Sequence, residues 1–270
     1  MPVWQAALLG IVQGLAEFLP ISSSAHLTLI PWIFGWQDPG LAFDVALHWG
    51  TLAAVLAVFW QDWIRLISAG LFGRGSANDK RLFWGLVISS IPGAILGKLL
   101  DHWAEEHLRA PLLVAAALGT LGVLLWVADR AGRKDRDLTQ MTLPRALSIG
   151  IAQAAALIPG VSRSGSTITL GLFEHFTREE IARFSFLMST PIIFGAGLVK
   201  LPKMLHEMQG GHGPVSWTAL GAGFLASAVV GTLVIRWMLA WLRTRTYAVF
   251  AIYRLALAAS IVMLWLSGKR

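Results

Sequence analysis

The sequence contains no cysteine, which excludes disulfide frameworks, thiolate metal sites and cysteine nucleophiles. Charge is scarce: Asp, Glu, Lys and Arg make up 14% of the 270 residues, where a soluble domain carries about 25%. No Lys or Arg precedes Arg65. The apolar N-terminal stretch therefore lacks the basic region of a cleaved signal peptide and is expected to remain in the mature chain. Walker-type phosphate loops, dinucleotide fingerprints and nucleic-acid modules are also missing. What is abundant is apolar: 56% hydrophobic residues, thirteen Trp and 27 Gly, with a mean hydropathy of +0.63. Interfacial aromatics and close helix packing are habits of membrane proteins. The net charge of +7 comes from basic residues that punctuate apolar runs rather than forming a stripe. It predicts a membrane topology and no nucleic-acid partner.

A transmembrane helix needs about 20 predominantly apolar residues. Six stretches meet or approach this: 43–60, 82–100, 112–128, 183–200, 217–241 and 248–266. Lys and Arg outside them are distributed unevenly. Loop 61–81, segment 129–182 and the pair Arg243 and Arg245 carry thirteen; Arg109, Lys200, Lys203, Lys269 and Arg270 make five on the other side. The positive-inside rule then puts both termini outside.

Two further apolar stretches are too short or interrupted to cross. Residues 3–19 run into Pro20 and Ser22-Ser23-Ser24-Ala25-His26; residues 146–158 run into Pro159-Gly160 and Ser162-Arg163-Ser164-Gly165-Ser166-Thr167. Each reads as a half-helix, a polar elbow and a second half-helix. Irregular backbone at membrane depth is tolerated only where protein or a water-filled cavity satisfies it, so the two elbows are expected to face one interior site. They align at an offset of 140, with identities at Gly10/Gly150, Ile11/Ile151, Gln13/Gln153, Ala16/Ala156, Ser22/Ser162 and Ser24/Ser164. Three spans follow each elbow, and an odd number inverts the second copy. The expected fold is an all-α polytopic membrane protein with about six transmembrane helices and two re-entrant helical hairpins. It forms a single domain of inverted-repeat halves, about 1–135 and 136–270, with a binding site near their interface.

The elbows carry the chemistry. Gln13 and Glu17 are four apart and share a helix face. A carboxylate inside a membrane segment is costly and by default functional; Glu17 suits a divalent cation or general-base work, with Gln13 as an oxygen ligand or positioning group. Ser22, Ser23 and Ser24 stand at a helix start with His26 close behind. Serine beside a base is the minimum for an activated nucleophile, and His26 is equally suited to attack phosphorus itself or to protonate a leaving group. Serines at a helix start also serve as plain caps. In the second elbow, glycines and hydroxyls surround Arg163 directly before an apolar run. Backbone N–H groups at a helix N-terminus bind anions, and the arginine fork matches phosphate oxygens. The set suits phosphoryl transfer, in which positioning and charge stabilisation dominate. The rival is a secondary transporter or flippase for a small anion or a phosphate-bearing lipid, which shares the broken helices and buried arginine but needs no nucleophile beside a base. Asp44 and His48, four apart, form a candidate outer shell; Arg236 and Arg254 read as anchors or pairing partners near span ends; the run 129–137 reads as a solvated loop.

Gln13-Gly-Leu-Ala-Glu17-Phe-Leu-Pro20-Ile-Ser22-Ser23-Ser24-Ala-His26 and Pro159-Gly-Val-Ser162-Arg163-Ser164-Gly165-Ser-Thr167 closely resemble the motifs of undecaprenyl-pyrophosphate phosphatases of the bacitracin-resistance type. Phe184-Ser-Phe-Leu and Ala251-Ile-Tyr-Arg254 look like the same family, and the resemblance spans essentially the whole chain. It implies hydrolysis of undecaprenyl diphosphate to the monophosphate and phosphate, which recycles the carrier lipid for cell-wall synthesis. It further implies a bacterial inner-membrane enzyme, dependent on a divalent cation such as Mg²⁺ or Ca²⁺, with its site opening toward the periplasmic face. Partners would be the polyprenyl substrate and membrane lipid; a homodimer is compatible with the sequence. By motif matching, Glu17 and Gln13 would serve the metal, and Glu17, Ser23, His26 and Arg163 catalysis. Ser22, Ser24, Ser162, Arg163, Ser164, Gly165 and Thr167 would hold phosphate. Family members carry Glu or Gln at the first motif position, and Gln13 leaves one charge fewer for a metal.

Overall fold

The apolar runs fold as helices. In the computed structural model, which describes residues 1–108, 110–209 and 215–268 (for 101–107 and 207–209 the backbone alone), ten α-helices follow in order. They are α1 (Val3–Ala16), α2 (Ser23–Phe34), α3 (Gly40–Phe72), α4 (Ala77–His107), α5 (Pro111–Ala131), α6 (Leu143–Ala154), α7 (Arg163–Phe173), α8 (Arg178–Gln209), α9 (Trp217–Leu242) and α10 (Ala248–Leu266). Six of these, α3, α4, α5, α8, α9 and α10, are long and apolar enough to cross a membrane, one for each expected span. Of the topological residues, Arg109, Lys269 and Arg270 lie outside the described residues.

Two expectations change. Helix α3 does not stop at Trp60: it runs on to Phe72 through a kink at Phe59, whose φ of −108° and ψ of 22° leave the helical region. Asp62, just past the kink, accepts hydrogen bonds from Arg65 at 2.8 Å and from Arg183 of α8 at 2.6 Å, so the extension is anchored on both sides. The run 129–137 is not wholly solvated. Asp129, 4% exposed at the end of α5, accepts from Arg178 Nε and from the Tyr247 backbone N–H. A buried carboxylate must be paired, and this one ties α5, α8 and the start of α10 together.

Helix pairing crosses the midpoint of the chain. Helix α1 packs most heavily on α9 and α6 on α4, while α5 lies against α10 and α3 against α8. Each early short helix is thus seated on a long helix of the other half. The equivalent glycines Gly10 and Gly150 explain how closely: a Cβ at Gly10 would stand 2.4 Å from the Gly223 carbonyl oxygen, and one at Gly150 would stand 2.3 Å from that of Ser89. Overpacking against backbone is costly because backbone cannot rotate away. Gly150→Val is expected to cost at least about 1–3 kcal/mol. Thermal unfolding in detergent should show a clear drop, whereas Gly221→Val, with nothing near its Cβ position, should unfold close to wild type.

Candidate active site

Proline and serine build the first elbow. Pro20 has no N–H to donate and disfavours helix in the residue before it, so α1 ends at Ala16 with the Glu17 N–H on the Gln13 carbonyl at 2.9 Å. The chain turns at Ser22, whose φ of +75° is unusual for a residue with a side chain, and α2 begins at Ser23. The second elbow repeats this. Helix α6 ends in a tight turn, Ala155–Leu157; Pro159-Gly160 follows; Ser162, at φ +72°, caps α7 by accepting from the Gly165 N–H at 3.1 Å. Gly160 is required there: its φ is +96°, and a Cβ would meet the Val114 carbonyl oxygen at 2.7 Å. Ser22–Ser24 and Ser162–Ser164 even make the same hydroxyl contact, each at 3.2 Å. Positive φ at a non-glycine stores about 1–3 kcal/mol and persists only where surrounding contacts hold it.

Those contacts come largely from Arg254, fully buried in α10. Its guanidinium donates to the carbonyls of Pro20 (3.1 Å), Gly160 (2.8 Å), Val161 (3.1 Å) and Leu118 (3.2 Å). Among the described residues Arg254 is therefore neither an anchor near a span end nor half of an ion pair: it clamps both elbows to α5. Ser164 adds a direct link, its Oγ donating to the Leu19 carbonyl at 3.1 Å.

With the elbows joined, Glu17 becomes the hub. Its Oε1 takes a hydrogen bond from Arg163 Nη2 at 3.2 Å; its Oε2 takes one from Ser23 Oγ at 2.8 Å and one from Gln13 Nε2 at 3.1 Å. His48 Nε2 lies 3.8 Å from the same oxygen, which puts the α3 histidine beside the site. Arg163 is steadied by the Ser185 carbonyl at 2.7 Å, and its buried Nε has no partner. Glu17, Ser23, Ser24, Ser162 and Arg163 all line one cavity of about 770 Å³. Asp44, His48, Gln153, Lys200 and Lys203 line it too.

The remaining expected residues stand elsewhere. Gln13 and Ser22 are buried behind the cavity wall. The Gly165 N–H is taken up by Ser162 Oγ, and Thr167 Oγ1 turns back to the Arg163 carbonyl and Ser185 Oγ, so neither lines the cavity. His26 is not paired with Ser23. Its Nδ1 lies 2.7 Å from the Ser22 carbonyl, which only accepts, so Nδ1 carries the proton; its Nε2, 2.6 Å from Tyr253 Oη, accepts from that hydroxyl. Both ring nitrogens are engaged, and the ring stacks on Tyr253.

Known proteins resemble this chain over nearly its whole length. The profile of the family described as "Bacitracin resistance protein BacA" matches residues 6–260. The chain belongs to that family. Among BacA relatives, the undecaprenyl-diphosphatase of Moorella thermoacetica is 54% identical over 268 residues, covering 98% of this chain and 99% of that protein. That of Desulforudis audaxviator is 47% identical over 264 residues, covering 98% of each. That of Pelotomaculum thermopropionicum is 48% identical over 264 residues, covering 98% of this chain and 97% of that protein.

Sequence reasoning missed Gln153 at this site and misread Arg254. Gln153 lines the cavity, and its signal was there as the repeat mate of Gln13. Arg254 interrupts an apolar run, and an intramembrane arginine deserves an interior role by default; nothing local says that its partners are carbonyls of two distant elbows.

Proposed function

We propose that this protein hydrolyses undecaprenyl diphosphate to undecaprenyl phosphate and inorganic phosphate, recycling the carrier lipid. The observation that carries this reading is the Arg163–Glu17–Ser23 chain of hydrogen bonds at the floor of the cavity. Arg163, with its unpartnered buried Nε, is a donor suited to phosphate oxygens. Glu17, hydrogen-bonded to Ser23, is the general base that activates it. Ser23 Oγ attacks the terminal phosphorus, its proton passes to Glu17, and the bond to the bridging oxygen breaks. Undecaprenyl phosphate leaves as an anion that needs no proton, and the phosphoryl group stays on Ser23. His26, bonded to Tyr253 and to its own helix, holds α2 and so the serine in place. Apolar Leu41, Val45, Ile192 and Ile193 on the cavity wall suit the isoprenoid chain, each buried CH₂ contributing about 0.8 kcal/mol. The relatives above are named for hydrolysis and not for transport, and a transporter has no use for a serine activated by a carboxylate.

The donor set fits a divalent cation. Gln13 Oε1 is buried without a partner, on the carboxamide whose Nε2 meets the Glu17 carboxylate, and hard cations take oxygen ligands of both kinds. No cluster of three or more His, Cys, Asp or Glu stands among the described residues, so substrate oxygens would complete the shell. Bound by Gln13 and Glu17, Mg²⁺ or Ca²⁺ would offset phosphate charge. Gln13→Glu should therefore lower the cation concentration needed for half-maximal turnover; an unchanged cation titration would remove Gln13 from the metal site.

The cavity lining reaches the α2–α3 connection, at Asp38, and the Lys200–Lys203 end of α8. Both belong to the side poor in Lys and Arg, which supports a bacterial inner-membrane protein with its site facing the periplasm. The paired elbows and cross-midpoint packing support one domain of two inverted-repeat halves, with the short helices forming re-entrant hairpins.

The test is phosphate release from undecaprenyl diphosphate by purified protein, with and without EDTA, beside Ser23→Ala and His26→Ala. Wild type should turn over only with cation. Ser23→Ala should fall by more than about 10³-fold, as loss of a nucleophile does, and His26→Ala by much less. No release from wild type under any cation condition would overturn the assignment.

A further inference from the structure

A phosphoserine must be hydrolysed before a second turnover, and the serine–glutamate–arginine group does not by itself place the attacking water. Gln153 has the position and the chemistry to do so. It is the last residue but one of α6, is 4% exposed and lines the same cavity as Ser23, Glu17 and Arg163. Its Nε2 donates to the Ser89 carbonyl at 3.4 Å, which fixes the carboxamide with the oxygen turned the other way. That Oε1 is buried and has no hydrogen-bond partner. A buried carbonyl oxygen without a donor is costly, and on a cavity wall it is available to a group met during the reaction. An amide oxygen repels phosphate oxygens, because both only accept; what it takes from an anion site is an O–H donor or a cation. The carboxylate of the floor pairs with Gln13 and not with Gln153, which leaves the O–H donor.

We propose that Gln153 orients the water that hydrolyses the phosphoserine, a role that rests on the phosphatase reading above. Gln153 Oε1 accepts one O–H of the water and aims its lone pair at phosphorus. The water oxygen bonds to phosphorus as the bond to Ser23 Oγ breaks. The proton that Glu17 took in the first step returns to Ser23 Oγ, and both water hydrogens leave with the product as H₂PO₄⁻. Glu17 is again a carboxylate and Ser23 a free hydroxyl. The two glutamines at offset 140 thus divide the work: Gln13 stands behind Glu17, and Gln153 faces the cavity.

The experiment is rapid-quench kinetics on wild type, Gln153→Leu and Gln153→Met with undecaprenyl diphosphate labelled in its terminal phosphate. Both released products and acid-stable label on the protein are followed, and thermal unfolding checks each fold. In the variants, undecaprenyl phosphate should appear in a fast burst of about one per enzyme. Phosphate release should slow about 10²-fold, the scale for misplacing a reactant, and label should accumulate on Ser23. Slowing of both steps together without label in a folded variant would overturn the proposal. So would wild-type rates recovered at raised cation concentration, which would make Gln153 a cation ligand. Wild-type protein releasing no phosphate at all is a different result, and it would fall on the phosphatase reading itself.

Discussion

Arg163→Ala is expected to reduce kcat/KM for undecaprenyl diphosphate by about 10³-fold or more, since loss of one transition-state donor alone costs 10²–10³. The side chain is also half of an ion pair in which Arg163 is 11% and Glu17 7% exposed. Removing one partner of such a pair leaves the other charge buried, with a penalty of about 3–5 kcal/mol. Ser23, Gln13 and His48 still face Glu17, so the stability loss should fall at the low end of that range. The two effects separate in a double variant. Glu17→Gln with Arg163→Ala leaves no unpaired charge, and thermal unfolding in detergent should recover toward wild type while turnover does not. If Arg163→Ala kept its turnover, the phosphate-clamp role would be gone, whatever its melting temperature.

Arg254→Met should have the largest structural effect in the molecule. It leaves the carbonyls of Leu118, Pro20, Gly160 and Val161 without the guanidinium that meets them. Hydrogen bonds from a charged donor contribute about 1.5–3 kcal/mol each, and buried groups left unsatisfied cost about 1–3. The effects are not additive, but several kcal/mol is a large share of the stability of any domain. We expect little folded protein in detergent extracts, measured by size-exclusion chromatography and thermal unfolding. Arg254→Lys tests the geometry, because one ammonium has three donors on a single point and cannot span two elbows and α5 as the planar fork does. It should fold with a lowered melting temperature, and kcat should fall more than KM rises, since the elbows carry Ser23 and Arg163. Wild-type melting and turnover in both variants would show that the elbows hold themselves.

Much of this protein is legible locally because hydropathy and backbone chemistry are local. Runs of apolar residues become helices in lipid, where each backbone group must be satisfied within its own segment, and the six spans follow. Pro20 and Pro159-Gly160 stop α1 and close the turn after α6 for the same local reasons. The polar residues stranded at those stops, Glu17, Ser23 and Arg163, were readable as one site because a membrane interior makes each of them costly alone.

Which of these groups touch is not local, and there the sequence pointed partly the wrong way. Serine three residues before His26 suggested a serine–histidine pair. In the fold, α2 carries the imidazole to Tyr253, 227 residues away in sequence, and the elbow returns Ser23 to Glu17. Gln153 and Arg254 give the same lesson, since an unpartnered oxygen or a clamp on four carbonyls exists only once separate segments have packed. Residue type and spacing determined the helices, the elbows and the class of chemistry, because those depend on a few neighbouring residues. The carboxylate partner of the serine, the clamp on the elbows and the place of the second glutamine were decided by tertiary packing, because hydrogen bonds form wherever buried donors and acceptors come within about 3 Å, irrespective of their distance along the chain.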